Sequence, residues 1–489
     1  MEELKKSKAA RVFHYFQEIC RIPHGSGNVE QISDYLKAFA EKRQLECIQD
    51  ETRNIIIIKP ASAGYEKEEP IILQGHMDMV AVKKPGYDID MTKDPLRLMR
   101  DGDYLYAEGT SLGGDDGAAV ALCLALLEDE NVAHPRLEVV LTVDEETGME
   151  GAQSIDLSSL KAKRMINLDS EEEGIFLTSC AGGARVDVHL PVRFVDLPAG
   201  KTEEYRMVVE GLQGGHSGTE IIKEGGNANC IMGRILYEMT VQEKLEVSIE
   251  KLAGGNADNA IPRQAEAVLW LAQENVEAVK ACVGKLEAEI RTELAVKDPG
   301  VCIRMEKIGA GAADPVSVLD TESVVQAARL MMVLPNGVQS MSSDVKDLVE
   351  TSLNLGILDL RKEELLLGYA VRSSLESAKE HLCQRLQAAA ALAGADTTIH
   401  GAYPGWAYRQ DSPLREKMCR VYREMYGKDP EIQALHAGVE CGLLMAKIPD
   451  LDCVSIGPDM ADVHTTEERL SISSTERTWE FLLALLADS

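Results

Sequence analysis

The amino-acid sequence predicts an α/β protein: a three-layer domain on a mostly parallel mixed sheet, interrupted by an inserted two-lobed α+β domain. Three observations predict it. Short runs of aliphatic and β-branched residues, such as Ile71-Ile72-Leu73 and Leu137–Val143, have the texture of strands covered on both faces. They alternate with stretches of helical periodicity. From about 186 to 401 the texture changes, and strands such as Glu204–Glu210 alternate polar and apolar residues, as sheets with one solvated face do. The expected division is therefore 1–185 and 402–489 for the two parts of the principal domain, with 186–401 as the insert. At 489 residues, 45% of them hydrophobic, the chain is too long for one ordinary core and has apolar side chains enough for two or three.

Composition narrows the partners. A formal net charge of −30 argues against nucleic acid and against an anionic membrane surface, both of which need basic faces. Eleven cysteines, an odd number without a C-x-x-C pair, sit in apolar contexts such as Leu122-Cys123-Leu124. That is the usage of a reducing compartment. The start, Met1–Lys6, lacks an apolar signal core, and no apolar run reaches the roughly 18 residues of a membrane span, so a cytoplasmic location is expected.

Taken in order, amphipathic helices are expected at about 7–21 and 29–43, separated by the turn residues Pro23–Asn28. A buried strand follows at Asn54–Ile58. The next, beginning at Ile71, stops at Gly75 and places His76 and Asp78 just past a strand end, where open α/β sheets bind ligands. By itself a His-x-Asp could be a loop histidine; its weight comes from recurrence. The loop Gly109–Gly117 leads into a helix at Ala118–Leu127 and invites a phosphate. Asp115 and Asp116 stand where the phosphate would lie and no Lys follows, so the loop suits a cation, or an Asp that caps the helix. Leu137–Val143 ends in Asp144-Glu145-Glu146, Met165–Leu168 in Asp169-Ser170-Glu171, and Cys453–Ile456 leads to His464. A terminal helix then opens with a capping box, Ser473 to Glu476.

Adjacent carboxylates at strand ends repel one another and need a compensating charge. The set His76, Asp115, Glu146, Asp169 and His464 holds imidazoles and carboxylates without a thiol, which suits zinc, or manganese or cobalt. Two divalent ions, three carboxylates and one hydroxide sum to neutrality. Such a centre acidifies its water and polarises a carbonyl, the equipment of a hydrolase. In the insert, helices are expected at 225–241, 274–294, 321–333 and 376–393, with Gly214–Gly218, Asn256–Pro262 and Ala370–Ser374 between them. Gly-Gly-His-Ser-Gly alone reads equally well as a hairpin turn.

The runs Gln74–Asp78, Gly113–Gly117, Asp144–Gly148, Asn167–Glu171 and Gly214–Gly218 resemble, in order, the motifs of the M20 metallopeptidases, and more closely their aminoacyl-histidine dipeptidase branch. Tyr403–Trp406, Asp411–Pro413 and His436–Gly442 support the likeness, which runs from Arg21–His24 to the terminal helix. It implies a catalytic domain in two parts and a lid at 186–401. Asp115 would bridge two ions, most readily zinc, with His76 and Asp169 completing one site and Glu146 and His464 the other. Glu145 would be the general base acting on the bridging water, and Asp78 would accept a hydrogen bond from His76. A cis Asp115–Asp116 peptide is implied too, and Asp rather than Glu at 169 goes with aminopeptidase and dipeptidase members. His216 would donate to the oxyanion, Arg372 would take the substrate carboxylate and Asn259 would position the peptide, while Glu440 would touch substrate or merely cap a helix. The insert resembles the enlarged, two-lobed lids of the family, in which one chain supplies both halves, and this likeness implies that His216 acts within its own chain, a homodimer being compatible with this. The activity implied is hydrolysis of dipeptides with a free N-terminus, ending in histidine or of broad specificity. An N-acyl amino acid deacylase or a tripeptidase would fit the same scaffold, whereas a non-catalytic peptide-binding protein would have no need of Glu145.

Overall fold

A computed structural model describes residues 3–197, 202–310 and 316–488. The chain divides into two compact units, Met1–Cys180 with Trp406–Ala434 and Val439–Ser489, and Ala181–Gly405 with Leu435–Gly438.

The first unit is α/β and built on an eight-stranded mixed sheet. Its centre is parallel, in the order Leu137–Thr142, Ile71–His76, Arg164–Asn167 and Asp452–Ser455. On one flank Ile55–Lys59 and Glu46–Gln49 add antiparallel; on the other Ile175–Cys180 runs antiparallel beside Asp452–Ser455, with Glu431–Leu435 at the edge. Alternate strand residues, among them Ile57, Leu73, Val139, Ile166 and Val454, share one core with helices Ala10–Ile19, Gly114–Glu128, Pro413–Tyr426 and Ile472–Ala487. The residues between them, Ile56, Ile72, Val140 and Met165, are buried as well, so both faces of the sheet are covered. That is why these strands read as unbroken apolar runs. Helix Gly114–Glu128 is buried around its whole circumference from Ala118 to Leu127, and each large side chain it encloses contributes roughly 1.5–3 kcal/mol.

One local expectation fails. The terminal helix begins at Ile472 and its N-cap is Ser471, whose Oγ accepts the Ser474 N–H at 3.2 Å. The box beginning at Ser473 does not form, because Ser473 already lies inside the first turn and its hydroxyl donates to Asp103 Oδ2 at 2.7 Å. Three hydroxyl residues within four positions leave the cap ambiguous in sequence.

The second unit contains a nine-stranded antiparallel sheet in the order Cys302–Ala310, Thr202–Glu210, Ala265–Ala272, Ser248–Gly254, Val349–Leu360, Glu364–Ser373, Gly182–Pro191 and Asp396–Tyr403, with Gly337–Met341 paired beside Val349–Leu360. Its halves are one continuous sheet, joined where Ala253 and Gly254 pair with Asp359 and Leu358. Tyr205, Met207 and Val209 point into a core shared with helices Ala228–Tyr237, Val276–Glu293, Thr321–Val333 and Glu376–Leu392. Among the described residues no helix is long and apolar enough to cross a membrane. All eleven cysteines are unpaired.

Candidate functional site

Register brings the strand ends of the first unit together. His76 pairs with Thr142, and both Gln74 and Ser455 pair with Asn167, so the residues after each strand emerge side by side. His76 Nε2 lies 3.0 Å from Asp115 Oδ1 and 3.4 Å from Asp169 Oδ1. Asp115 turns its other oxygen to His464 Nε2 at 3.0 Å, and that nitrogen is 2.9 Å from Glu146 Oε1. All five residues expected to share a metal centre therefore meet, with Asp115 between two imidazoles. Among the described residues three overlapping trios have potential ligand atoms within 4.8 Å of one another: His76, Asp116 and Asp169; His76, Glu145 and Glu146; Asp115, Glu146 and His464.

The Asp115–Asp116 peptide is cis, in agreement with the resemblance. Asp116 is fully buried, and its Oδ2 accepts the backbone N–H of His76 at 3.2 Å. The sequence offers it with Asp115 as a carboxylate for a cation or a helix cap, without singling it out. A Cβ on Gly75 would come within 2.4 Å of Asp116 Oδ2 and 2.6 Å of the Ala119 Cβ, so only glycine lets this helix approach the strand so closely.

Asp78 is buried beside His76. Its Oδ2 accepts the Ser26 hydroxyl at 2.8 Å, its Oδ1 accepts the Glu145 N–H at 3.1 Å, and that Oδ1 is 3.4 Å from His76 Nδ1. His76 Nδ1 also lies 3.0 Å from the Asp78 carbonyl oxygen. Crowding of carboxylates is visible in the ionisation of the site. Burial, reinforced by the charges of Asp169, Glu146 and Asp115, pushes the Glu145 carboxyl up to about 8. Asp169 is likewise raised to about 8 by burial and by its acidic neighbours. His464 is raised to about 10 by hydrogen bonds to Asp115 and Glu146.

Glu440 is fully buried. Its Oε2 accepts Gln74 Nε2 at 2.5 Å and the Thr142 hydroxyl at 2.6 Å. Gln74 Oε1 accepts Asn167 Nδ2 at 2.6 Å, and Asn167 Oδ1 accepts the Ser455 hydroxyl. This network ties together the four central strands just below the acidic ends. Glu468, also buried, accepts backbone N–H groups from Leu112 to Asp115, the loop that was first considered for phosphate.

His216, Asn259 and Arg372 belong to the second unit. Gly215–His216 pairs with Ala260–Ile261, and the Ser217 N–H donates to the Asn259 carbonyl at 2.8 Å, while the Asn259 residue itself is exposed. His216 Nδ1 accepts the Gly218 and Thr219 N–H groups, each at 3.3 Å, which places the neutral ring's proton on Nε2. Arg372 is largely buried, donates to the Tyr403 hydroxyl at 3.3 Å and approaches His216 Nε2 at 3.5 Å. Among the described residues no carboxylate forms an ion pair with it. His436 completes this cluster, paired with Ser352 Oγ at 2.7 Å and pushed down to about 3 by burial and by the Arg372 charge. His436 and Tyr403 lay in quoted motifs without an expected role; Ser352 gave no signal at all.

Residues 72–488 match the description peptidase family M20/M25/M40. The chain is 37% identical over 488 residues to the cytosol non-specific dipeptidase of Escherichia coli (strain K12), covering 100% of this chain and 99% of that protein. It is similar to the crystal structure of aminoacylhistidine dipeptidase from Vibrio alginolyticus, at a TM-score of 0.91 and 33% identity over 99% of each chain. The aminopeptidase PepT from Bacillus cereus shares the fold, at a TM-score of 0.54 and 16% identity over 98% of each chain. A family match that reaches from the His76 strand through the terminal helix, joined to full-length identity with a curated relative, gives the lineage: the chain belongs to peptidase family M20/M25/M40.

Proposed function

We propose that this chain is a dipeptidase dependent on two divalent ions and selective for short peptides with a free N-terminus. Two relatives named as dipeptidases, each alike over nearly its whole length, support the substrate class. The observation that carries the metal part is Asp115, whose two oxygens each face a different imidazole at 3.0 Å.

The surrounding atoms fit a cation. His76 Nδ1 faces a carbonyl oxygen that can only accept, so the ring proton belongs on Nδ1 and the Nε2 lone pair points at carboxylate oxygens. Glu146 Oε1 is buried and faces His464 Nε2 at 2.9 Å, a second carboxylate oxygen turned to that ring nitrogen beside Asp115 Oδ2. A donor set of imidazoles and carboxylates suits zinc, with manganese and cobalt as alternatives. His76 and Asp169 would hold one ion, Glu146 and His464 the other, and Asp115 both. When bound, such ions polarise the peptide carbonyl and acidify a water.

The chain's own groups supply the rest. Glu145 takes a proton from the attacking water and returns it to the leaving amine. Asp78 orients both the His76 ring and the backbone of Glu145. His216, with its proton on Nε2, would donate to the oxyanion, and Asn259 would help position the peptide. Arg372, which lacks a carboxylate partner among the described residues, would grip the substrate's free C-terminus through its planar fork. Unpaired cysteines and a relative named for the cytosol support a cytoplasmic location.

The test is a panel of dipeptides assayed in chelator and then with zinc, manganese or cobalt, with N-acetyl amino acids and tripeptides alongside. Turnover of unblocked dipeptides that a divalent ion restores is expected. Undiminished turnover in chelator would overturn the metal assignment, and preference for N-acetyl amino acids would make the chain a deacylase.

A further inference from the structure

We propose that Glu468 is a positioning residue for His464, clamping the loop that carries His464 to the loop that carries Asp115. The inference rests on the proposed reading of those two residues as metal ligands. Its starting point is the geometry of one carboxylate. Glu468 is only 3% exposed, and Oε2 accepts the N–H groups of Leu112 and Gly113 at 2.7 and 3.0 Å, while Oε1 accepts those of Gly114 and Asp115 at 2.7 and 3.4 Å. Converging backbone N–H groups at a helix start form an anion cradle. Here the anion is the chain's own, and it arrives from more than 350 residues away in sequence.

His464 needs such an anchor. It lies between the short strands Met460–Ala461 and Arg469–Ser471, its backbone adopts a left-handed conformation (φ 63°) that non-glycine residues rarely take, and its side chain is 46% exposed. The ion pair between Lys84 and the neighbouring Glu467 is solvated on both sides and contributes little. Glu468, four residues after His464, is by contrast buried and fully engaged. Its grip includes the N–H of Asp115 itself, so one carboxylate ties the backbone of Asp115 to the segment that carries His464, two members of the trio Asp115, Glu146 and His464. Gly113 and Gly114 make room for it: Gly113 has φ +68°, and a Cβ on Gly114 would press on Oε1 at 3.2 Å.

The experiment is a zinc titration against a competing chelator, made on the full chain and on Glu468→Gln, Glu468→Asp, His464→Ala and the double variant His464→Ala/Glu468→Gln. Thermal unfolding of each metal-free protein reports the fold. Glu468→Gln puts an amide N–H against N–H donors and is expected to weaken the zinc ion that His464 would hold by about 10- to 100-fold, and the other by less. Glu468→Asp, which keeps the charge, should lie between. In the His464→Ala background Glu468→Gln should cost clearly less zinc affinity than in the unsubstituted chain, because His464 is gone and only the Asp115 loop is left to hold. Two ions held as in the unsubstituted chain, or the same additional loss without His464, would overturn the proposal. Unfolding of both metal-free Glu468 variants would assign the residue to the fold and overturn it as well. An unsubstituted chain that takes up no zinc would instead bring down the metal reading itself.

Discussion

The backbone N–H of Glu145 donates to Asp78 Oδ1 at 3.1 Å. The same oxygen stands 3.4 Å from His76 Nδ1, so one buried carboxylate sets both an imidazole and the peptide from which the proposed base projects. Asp78→Ala is therefore expected to lower zinc affinity by about 10- to 100-fold and to reduce kcat in zinc-saturated protein as well. Full kcat at saturating zinc would confine Asp78 to metal binding.

Glu145→Gln should keep both ions, since the proposed ligands are untouched, and lose on the order of 10²–10⁴ in kcat. Metal content by atomic absorption and turnover of one dipeptide decide it. Near-normal turnover would remove Glu145 from proton transfer.

Asp115→Ala should bind neither ion tightly, because each of its oxygens serves a different imidazole. Two ions per chain, measured after dialysis at micromolar zinc, would contradict the bridging role.

Arg372→Lys should raise KM for a dipeptide more than it lowers kcat, since an ammonium does not reproduce a bidentate fork. The matching substrate change is a dipeptide C-terminal amide, expected to be a poor substrate for the unsubstituted chain. Equal turnover of acid and amide would show that Arg372 does not read the terminus.

His436 should make the protein less stable in mild acid. It is held down to about 3 in the folded chain and titrates near 6.5 when unfolded, so the unfolded state binds the extra proton between these values. Its contribution is absent from the pH dependence above about 6.5 and costs stability as pH falls below that, by about 2 kcal/mol at pH 5. Urea unfolding of the unsubstituted chain and of His436→Asn at pH 7.5 and 5 should show their stabilities converging toward the lower pH. A constant gap would mean that His436 takes up its proton as readily in the folded chain as in the unfolded one.

Much of this architecture was legible because buried parallel strands announce themselves. Ile71–Leu73, Leu137–Val143 and Met165–Leu168 are apolar runs expected to stop at Gly75, Asp144 and Asp169, and the structure ends its strands within two residues of those positions. What sequence did not disclose depends on pairing between segments. Ser352 lies opposite Arg372 by cross-strand register, which no single strand's periodicity specifies. Glu440 reads as a residue at a helix start, and only the fold encloses it against Gln74 and Thr142. Glu468, the second Glu of a Thr-Thr-Glu-Glu run, carries no periodic signal, since its partners are the backbone of a distant loop.

The strand Asp452–Ser455 lies between Arg164–Asn167 and Ile175–Cys180. A ribosome making this chain must release everything up to Ser455 before that slot can be filled. Until then the sheet has two unpaired strands facing a gap in its interior, and His464 has not yet been synthesised beside Asp115. The order of synthesis thus leaves the centre of this sheet open and adhesive longer than its flanks, the place where a partly made chain is exposed to wrong pairing.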